Sequence, residues 1–421
     1  MKQLFYLFLL IHLGGCAHMM GLQEEKTPIS DTSIAPLPPI ASIQLYAGTN
    51  QTQAPVIRLN SDEFLQLHFD VLSTDARPLS VYFFHEDVTG KRDLQPIEYM
   101  QLAREDVVLE TRPSSHTQIP YTHYRYVFPN EKIQFRVSGR YTIRVTAQGR
   151  PEDIRFERTF FVYENVARLS NTAQFIQGNR RGGFDFWPEL VVELPDHLTA
   201  NVYDLTVCGY EHALNHPIIC YKEPRLNFFP RITYGPNRHE AFAVKWDRRV
   251  LDLRRLQNGG KIEQVNRSLS PFKIKLMTEH YDQDLYSDGG RTYGNPLYEA
   301  HDVPTGYEAL QAEYVDVVFR FIPVSKTALP FPVFLQGDFN EWKKDTPYKM
   351  TWSTEEQAYT LDVRLKQGLF EYRYHIDDPA FDQSQTSPWF NRTLRWQTLV
   401  FYKDTFLGSD RLLGMEQRIW E

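Results

Sequence analysis

Apolar residues recur at every second position through most of the chain. Leu65, Leu67, Phe69 and Val71 fall on one side of a segment, and Gln66, His68 and Asp70 on the other. Val81 and Phe83, then Tyr124, Tyr126 and Phe128, then Ile133, Phe135 and Val137 repeat the alternation. Ser138-Gly139-Arg140 interrupts it before Tyr141, Ile143 and Val145 resume it. A period of two belongs to a strand with one buried face. Short strands parted by turn residues at this spacing predict an immunoglobulin-like β-sandwich over 41–164.

Residues 165–311 carry a weaker pattern. Glu189–Leu194, Val202–Cys208, Phe242–Trp246 and Phe272–Leu276 read as strands between polar, Gly/Pro-rich connections, which predicts a middle β domain with long loops. The alternation returns over 312–415. Val317, Phe319 and Phe321 lie on one strand, and Pro332–Gln336 is a strand ending at Gly337. Tyr348, Met350 and Trp352 share a face, as do Leu361, Val363 and Leu365, and Gln367-Gly368 turns the chain into Phe370, Tyr372 and Tyr374. Val400–Tyr402 reads as a late strand of this early-set-like sandwich, and 416–421 as a tail. Arg248–Arg255 is the best short helix candidate. The fold class expected is all-β, with tandem sandwich domains.

The first residues break the pattern. Lys2 precedes the apolar run Leu4–Leu13, which is too short to cross a bilayer, and Leu13-Gly14-Gly15-Cys16 closes it. A leucine three residues before a cysteine, with two small residues between, matches a lipobox. Residues 1–15 then read as a signal peptide and Cys16 as the lipidated first residue, which gives a lipid-anchored chain at the periplasmic face of the outer membrane. Residues 16–40, with Pro28, Pro36, Pro38 and Pro39, bury too little to fold and read as a flexible tether.

Composition agrees with β-structure, since 14% of residues are aromatic. A net charge of -7 without a Lys/Arg cluster argues against nucleic acid as a partner. Two cysteines remain beyond Cys16. Cys208 and Cys220 sit in segments, Val202–Tyr210 and Pro217–Tyr221, that pair naturally as a hairpin. A disulfide and two buried thiols both fit that spacing.

Signatures of chemistry are sparse. The chain has no nucleophile elbow, phosphate-cradling glycine loop, H-E-x-x-H or cysteine-rich metal spacing, so no catalytic residue, metal or cofactor is expected. His85-Glu86-Asp87 cannot converge on one ion, because consecutive strand residues point to opposite faces. Asp282, Asp284, Asp288 and Gly289 form an acidic loop that misses the calcium-loop spacing. One turn stands out, Gly337-Asp338-Phe339-Asn340-Glu341-Trp342. Its glycine leaves a strand, its Asp and Asn can bond back to the turn, and its Phe and Trp can pin the loop to the core.

That turn resembles the G-x-F-N-x-W turn of glycogen-binding early-set modules, as do Lys366-Gln367-Gly368 and the strand Tyr372–His375. The resemblance implies that Asp338, Phe339, Asn340, Trp342 and Lys366 form either a structural turn or a sugar site. In the latter Trp342 would be the stacking residue, Arg373 would stand in a common lysine position, and Trp389 would be a possible partner. A carbohydrate-binding lipoprotein is the alternative function on this ground.

A wider resemblance covers about 41–415. Ser42-Ile43-Gln44-Leu45, Pro55-Val56-Ile57-Arg58-Leu59, Leu65-Gln66-Leu67-His68-Phe69-Asp70, Phe128-Pro129-Asn130 and Ser138-Gly139-Arg140-Tyr141 open the series. Gly337–Trp342, Leu365-Lys366-Gln367-Gly368 and Asp410-Arg411-Leu412-Leu413-Gly414 close it. In order and spacing these resemble the plug proteins of the type IX secretion system. The resemblance implies a non-enzymatic protein that binds the outer-membrane translocon β-barrel and closes its periplasmic mouth when no cargo is engaged.

Overall fold

The computed structural model describes residues 39–177, 184–196, 202–212, 214, 217–228, 230–243, 248–281, 291–378 and 394–420. Cys16, the acidic loop at 282–289 and Trp389 lie outside them. The described residues are nearly all strand and turn, and the two α-helical segments, Pro96–Tyr99 and Glu308–Gln311, are single turns.

The alternation over 41–164 builds two facing sheets. One orders Ile40–Ala47, Leu65–Val71, Thr122–Phe128 and Glu110–Pro113, and the other orders Val56–Arg58, Arg150–Tyr163, Gly139–Ala147, Leu79–Glu86 and Glu105–Val108. Leu65, Leu67, Phe69, Val81, Phe83, Phe128 and Ile143 meet between them in one apolar core. Rings stack edge-on there, Phe83 against Phe128 at 5.1 Å and Phe69 against Phe156 at 5.1 Å, an arrangement that favours aromatic pairs beyond their buried area.

The following residues form two further sandwiches whose sheets draw on both sides of residue 311. Leu205–Glu211 pairs antiparallel with Leu394–Asp404, which pairs in turn with Ser409–Trp420. Arg249–Asp252 joins Leu369–Ile376 and Val333–Gly337. The late strand therefore lies beside residues 205–211, not in the sandwich of 312–376. Residues 416–420, expected as a tail, are the end of its partner strand. Arg249–Asp252 is a strand where a short helix was expected. Its Val250, Leu251 and Leu253 satisfy either period, and pairing with residues 369–372 decides between them.

The strand Leu394–Asp404 is buried along nearly its whole length. Val400 and Tyr402 face the core shared with Leu190, Val192 and Ile232, while Leu399 and Phe401 face Ala54, Val56 and Phe161 of the first sandwich. Covered on both faces, its second half Leu399–Tyr402 is a continuous apolar run, while its first half buries Arg395, Gln397 and Thr398. Residues from 38 onward accordingly form a single compact unit. No helix among the described residues is long and apolar enough to cross a membrane.

Candidate functional site

The strand Val333–Gly337 ends in the 3-10 turn Asp338–Asn340. Gly337 is required by close approach: a Cβ there would sit 2.7 Å from the Phe339 ring and 2.9 Å from the Glu371 carbonyl oxygen. Asn340 Oδ1 accepts the Gly337 N–H at 2.9 Å, and its Nδ2 donates to the Leu335 carbonyl at 3.0 Å. Phe339 packs among Phe319, Tyr348 and Phe370. Glu341 and Trp342 then take left-handed backbone, a region that disfavours residues with a Cβ. The Trp342 N–H bond to the Gly337 carbonyl at 3.0 Å and the Arg158–Glu341 ion pair at 2.7 Å hold them there.

The polar groups of this turn face inward. Asp338 Oδ2 accepts from the Thr292 hydroxyl at 2.6 Å and from the Glu371 N–H at 2.7 Å, and Oδ1 accepts the Trp342 indole N–H at 3.2 Å. Burial, and then the neighbouring Glu371 carboxylate, push Asp338 up to about 7. Burial opposes ionisation of Glu371 as well, but His212, Arg248 and Arg291 outweigh it, so that this carboxyl stays below its usual range. One proton near neutrality thus belongs to the Asp338 side of the pair.

Trp342 is only partly exposed. The Arg248 guanidinium lies 3.9 Å from its ring centroid and Arg373 lies at 5.7 Å. A cation–π contact of this kind occupies a face on which a sugar would stack. The turn borders a cavity of about 310 Å³, lined from the first sandwich by Glu86, Arg140 and Arg158 and from the turn by Asp338, Glu341 and Lys343.

Lys366 lies apart from the turn, at the seam with the first sandwich. Its Nζ donates to Asp70 Oδ2 at 2.7 Å and to the Ala309 carbonyl at 3.0 Å, and sits 4.3 Å from the Tyr121 ring centroid. Asp70 also accepts from the Tyr314 hydroxyl at 2.8 Å and from His123 Nδ1 at 2.7 Å. His123 Nε2 faces His68 Nδ1 at 3.0 Å. Burial pushes Asp70 up, but Lys366 and His123 together hold it below the usual carboxylate range. Burial, then the positive potential of His123 and Arg125, lowers His68 to about 3. A cavity of about 280 Å³ adjoins this network.

Sequence reading missed Asp70, His68 and His123 as seam residues, because polar positions on the outer side of a strand read as solvated. It missed Arg248, Arg291 and Glu371 for want of any local motif. Cys208 and Cys220 face each other across the Leu205–Glu211 and Ile219–Tyr221 strands and are joined by a disulfide.

His85, Asp93 and Ser409 also meet, but not as a nucleophile and its base. His85 Nδ1 lies 2.8 Å from Asp93 Oδ1 and 3.3 Å from Ser409 Oγ. The Ser409 hydroxyl, however, donates to Asp93 Oδ2 at 2.5 Å, His85 Nε2 faces the Ser138 carbonyl at 3.2 Å, and both His85 and Ser409 are buried. Among the described residues no group of three or more His, Cys, Asp and Glu is disposed to hold a metal ion. The turn thus holds a buried acid pair, Asp338 and Glu371, and the seam holds the buried Asp70–Lys366 ion pair.

Residues 40–164 match the family described as Type 9 secretion system plug protein 1st domain. A crystal structure of a hypothetical protein from Parabacteroides merdae is similar in fold. It has a TM-score of 0.79 at 22% identity, over 90% of this chain and 97% of that one. A collagen adhesin from S. aureus reaches a TM-score of only 0.11 at 7% identity, over 90% of this chain and 94% of that one, which carries no argument. No curated protein matches the chain.

Proposed function

We propose that this chain, whose residues 40–164 belong to the type 9 secretion system plug first-domain family, is a non-enzymatic plug for the outer-membrane translocon. In this reading it is held through a lipid on Cys16 at the periplasmic face and obstructs the barrel's inner mouth until cargo engages. The observation that carries the reading is the family match, and the architecture suits it. An obstruction must resist deformation more than it must perform chemistry. Here the first sandwich is tied to later strands by an apolar cluster around Phe161 and Phe401 and by the buried Asp70–Lys366 pair. An acyl anchor would raise the plug's effective concentration at the channel.

Affinity purification of the full chain from native membranes tests this. Co-purification of a giant outer-membrane β-barrel, together with leakage of large solutes in cells lacking the chain, is the expected result. Recovery without any such barrel would discard the reading. Replacement of Cys16 by serine should release the chain from the membrane fraction while leaving its fold intact.

A further inference from the structure

His85 is buried where the first sandwich meets the strand Ser409–Trp420, and both of its ring nitrogens face oxygens that carry no hydrogen. Nδ1 lies 2.8 Å from Asp93 Oδ1, and Nε2 lies 3.2 Å from the Ser138 carbonyl. Burial pushes Asp93 up, but hydrogen bonds from His85 and Ser409 outweigh it and hold this carboxyl below its usual range. The Ser409 hydroxyl spends its hydrogen on Asp93 Oδ2 at 2.5 Å, so it cannot serve Nδ1 from its 3.3 Å distance. A neutral imidazole carries one N–H and satisfies one side; the doubly protonated ring satisfies both.

The charges around the ring agree. Asp93 and Asp410 have no Lys or Arg ion-pair partner among the described residues, and an imidazolium supplies the cation they lack. The neighbouring guanidiniums are committed elsewhere, Arg140 to Glu86 at 3.0 Å, Arg92 to Glu157 at 2.9 Å and Arg411 to Glu164 at 2.6 Å. The Tyr99 and Tyr141 rings lie 6.0 and 4.9 Å from His85. Burial pushes Tyr99 up to about 12 and Tyr141 well above the usual range, so neither hydroxyl supplies a charge. Gly139 admits the ring: a Cβ there would stand 2.3 Å from His85 Nε2 and 3.1 Å from the Asp410 carbonyl oxygen.

We propose that the His85 imidazolium is a proton-operated latch, which fastens the start of the strand Ser409–Trp420 to the first sandwich and loosens it when the proton leaves. The latch does not depend on the plug reading. The fastenings radiate from the ring: Ser409 to Asp93, the Val88 N–H to Asp410 Oδ2 at 2.9 Å, and the Leu412 N–H to Ser138 Oγ at 3.0 Å. On release the Nε2–H bond breaks, its electron pair stays on the ring, and water takes the proton. Nδ1–H remains on Asp93, while the new lone pair opposes the Ser138 carbonyl and Asp410 loses its cation. An unfolded histidine gives up its proton near 6.5, so stability drawn from the latch is whole below that pH and is lost as pH rises. Asp93 sets the acid limit, since its depressed carboxyl contributes stability that is lost as pH falls.

The test follows the full chain, as wild type, Asp93→Asn and His85→Gln, from pH 6 to pH 9. Nitrogen NMR reads the His85 ring, and amide exchange gives the protection of Val88 and Leu412, with the core amide of Val317 as comparison. In the wild type both ring nitrogens should be protonated at pH 6. As one proton is lost, protection at Val88 and Leu412 should fall about tenfold, the cost of one unsatisfied buried group, while Val317 stays protected. Asp93→Asn removes the anion that holds the proton, so ring titration and loss of protection should move together to lower pH. His85→Gln, which donates on one side only, should show low protection and no pH step. Should that variant fail to fold, the wild type and Asp93→Asn still decide. A ring found neutral in the folded chain at pH 6, or one that loses its proton while Val88 and Leu412 stay protected, overturns the latch.

Discussion

Lys366 Nζ and Asp70 Oδ2 lie 2.7 Å apart, 296 residues distant in sequence and both shut away from solvent. A buried pair of this kind contributes little relative to an apolar replacement of both partners, but removal of one leaves the other charged and unpaired. Lys366→Met should therefore destabilise the chain by about 3–5 kcal/mol. Adding Asp70→Asn should recover part of that loss, because the stranded charge is gone. Urea unfolding of the wild type, the two single variants and the double variant measures it. Strict additivity of the two single effects would show that the pair does not act as a unit.

His68 makes the same seam sensitive to acid. An exposed imidazole takes a proton near 6.5, whereas this one resists until about 3 because burial and the adjacent positive groups oppose the charge. The unfolded chain binds a proton that the native chain refuses, so stability falls as pH drops from about 6.5 toward 3. His68→Gln keeps a hydrogen-bonding side chain without the titration. The wild type should lose more melting temperature than this variant between pH 7 and pH 4.5. Equal losses would remove His68 as a cause.

The seam also marks where sequence reading stops. The face Leu65–Val71 turns to its core was legible, because a two-residue period has one interpretation in a sandwich. The opposite face was not. Gln66 and Asp70 look solvated by that rule, yet the first is covered and the second is met by Tyr314 and Lys366, residues far along the chain that no local pattern links to it. Of the strand Leu394–Asp404 only Val400–Tyr402 was legible, since the buried Arg395, Gln397 and Thr398 of its first half look solvated. The 337–342 turn was readable as a turn, because Gly337, Asn340 and Phe339 serve it locally. The guanidinium over Trp342 arrives from residue 248 and has no local signature.

The Cys208–Cys220 disulfide closes a short loop between adjacent strands. By chain entropy, cross-linking residues 12 apart removes about 3 kcal/mol of freedom from the unfolded state. Replacing both cysteines by alanine should lower unfolding stability by roughly that amount. The hairpin should survive, since the Leu205–Glu211 strand keeps its pairing to Leu394–Asp404. Urea titration of the double variant under non-reducing conditions checks it. A midpoint equal to that of the wild type would mean the cross-link leaves the unfolded chain as free as before.

Asp338 should give the opposite pH response to His68. Its carboxyl keeps a proton up to about 7, because burial and then the Glu371 charge disfavour ionisation, whereas an unfolded aspartate releases it near 4. Between those values the native state binds more protons than the unfolded one, so this residue lowers stability progressively as pH rises from about 4 to about 7. Asp338→Asn cannot titrate, and its amide oxygen can still accept the Glu371 N–H now received at 2.7 Å. The same oxygen can still accept the Thr292 hydroxyl, but the NH₂ then stands where Oδ1 accepts the Trp342 indole N–H at 3.2 Å, so that bond is lost at every pH. The variant should therefore gain on the wild type as pH is raised from 5 to 8, from a starting offset set by the lost Trp342 bond. Paired thermal scans across that range read the difference directly, since every other titrating group is common to both proteins. A gap that stays constant with pH would show that Asp338 ionises like an exposed aspartate, and the proton placed on it here would have to be moved elsewhere.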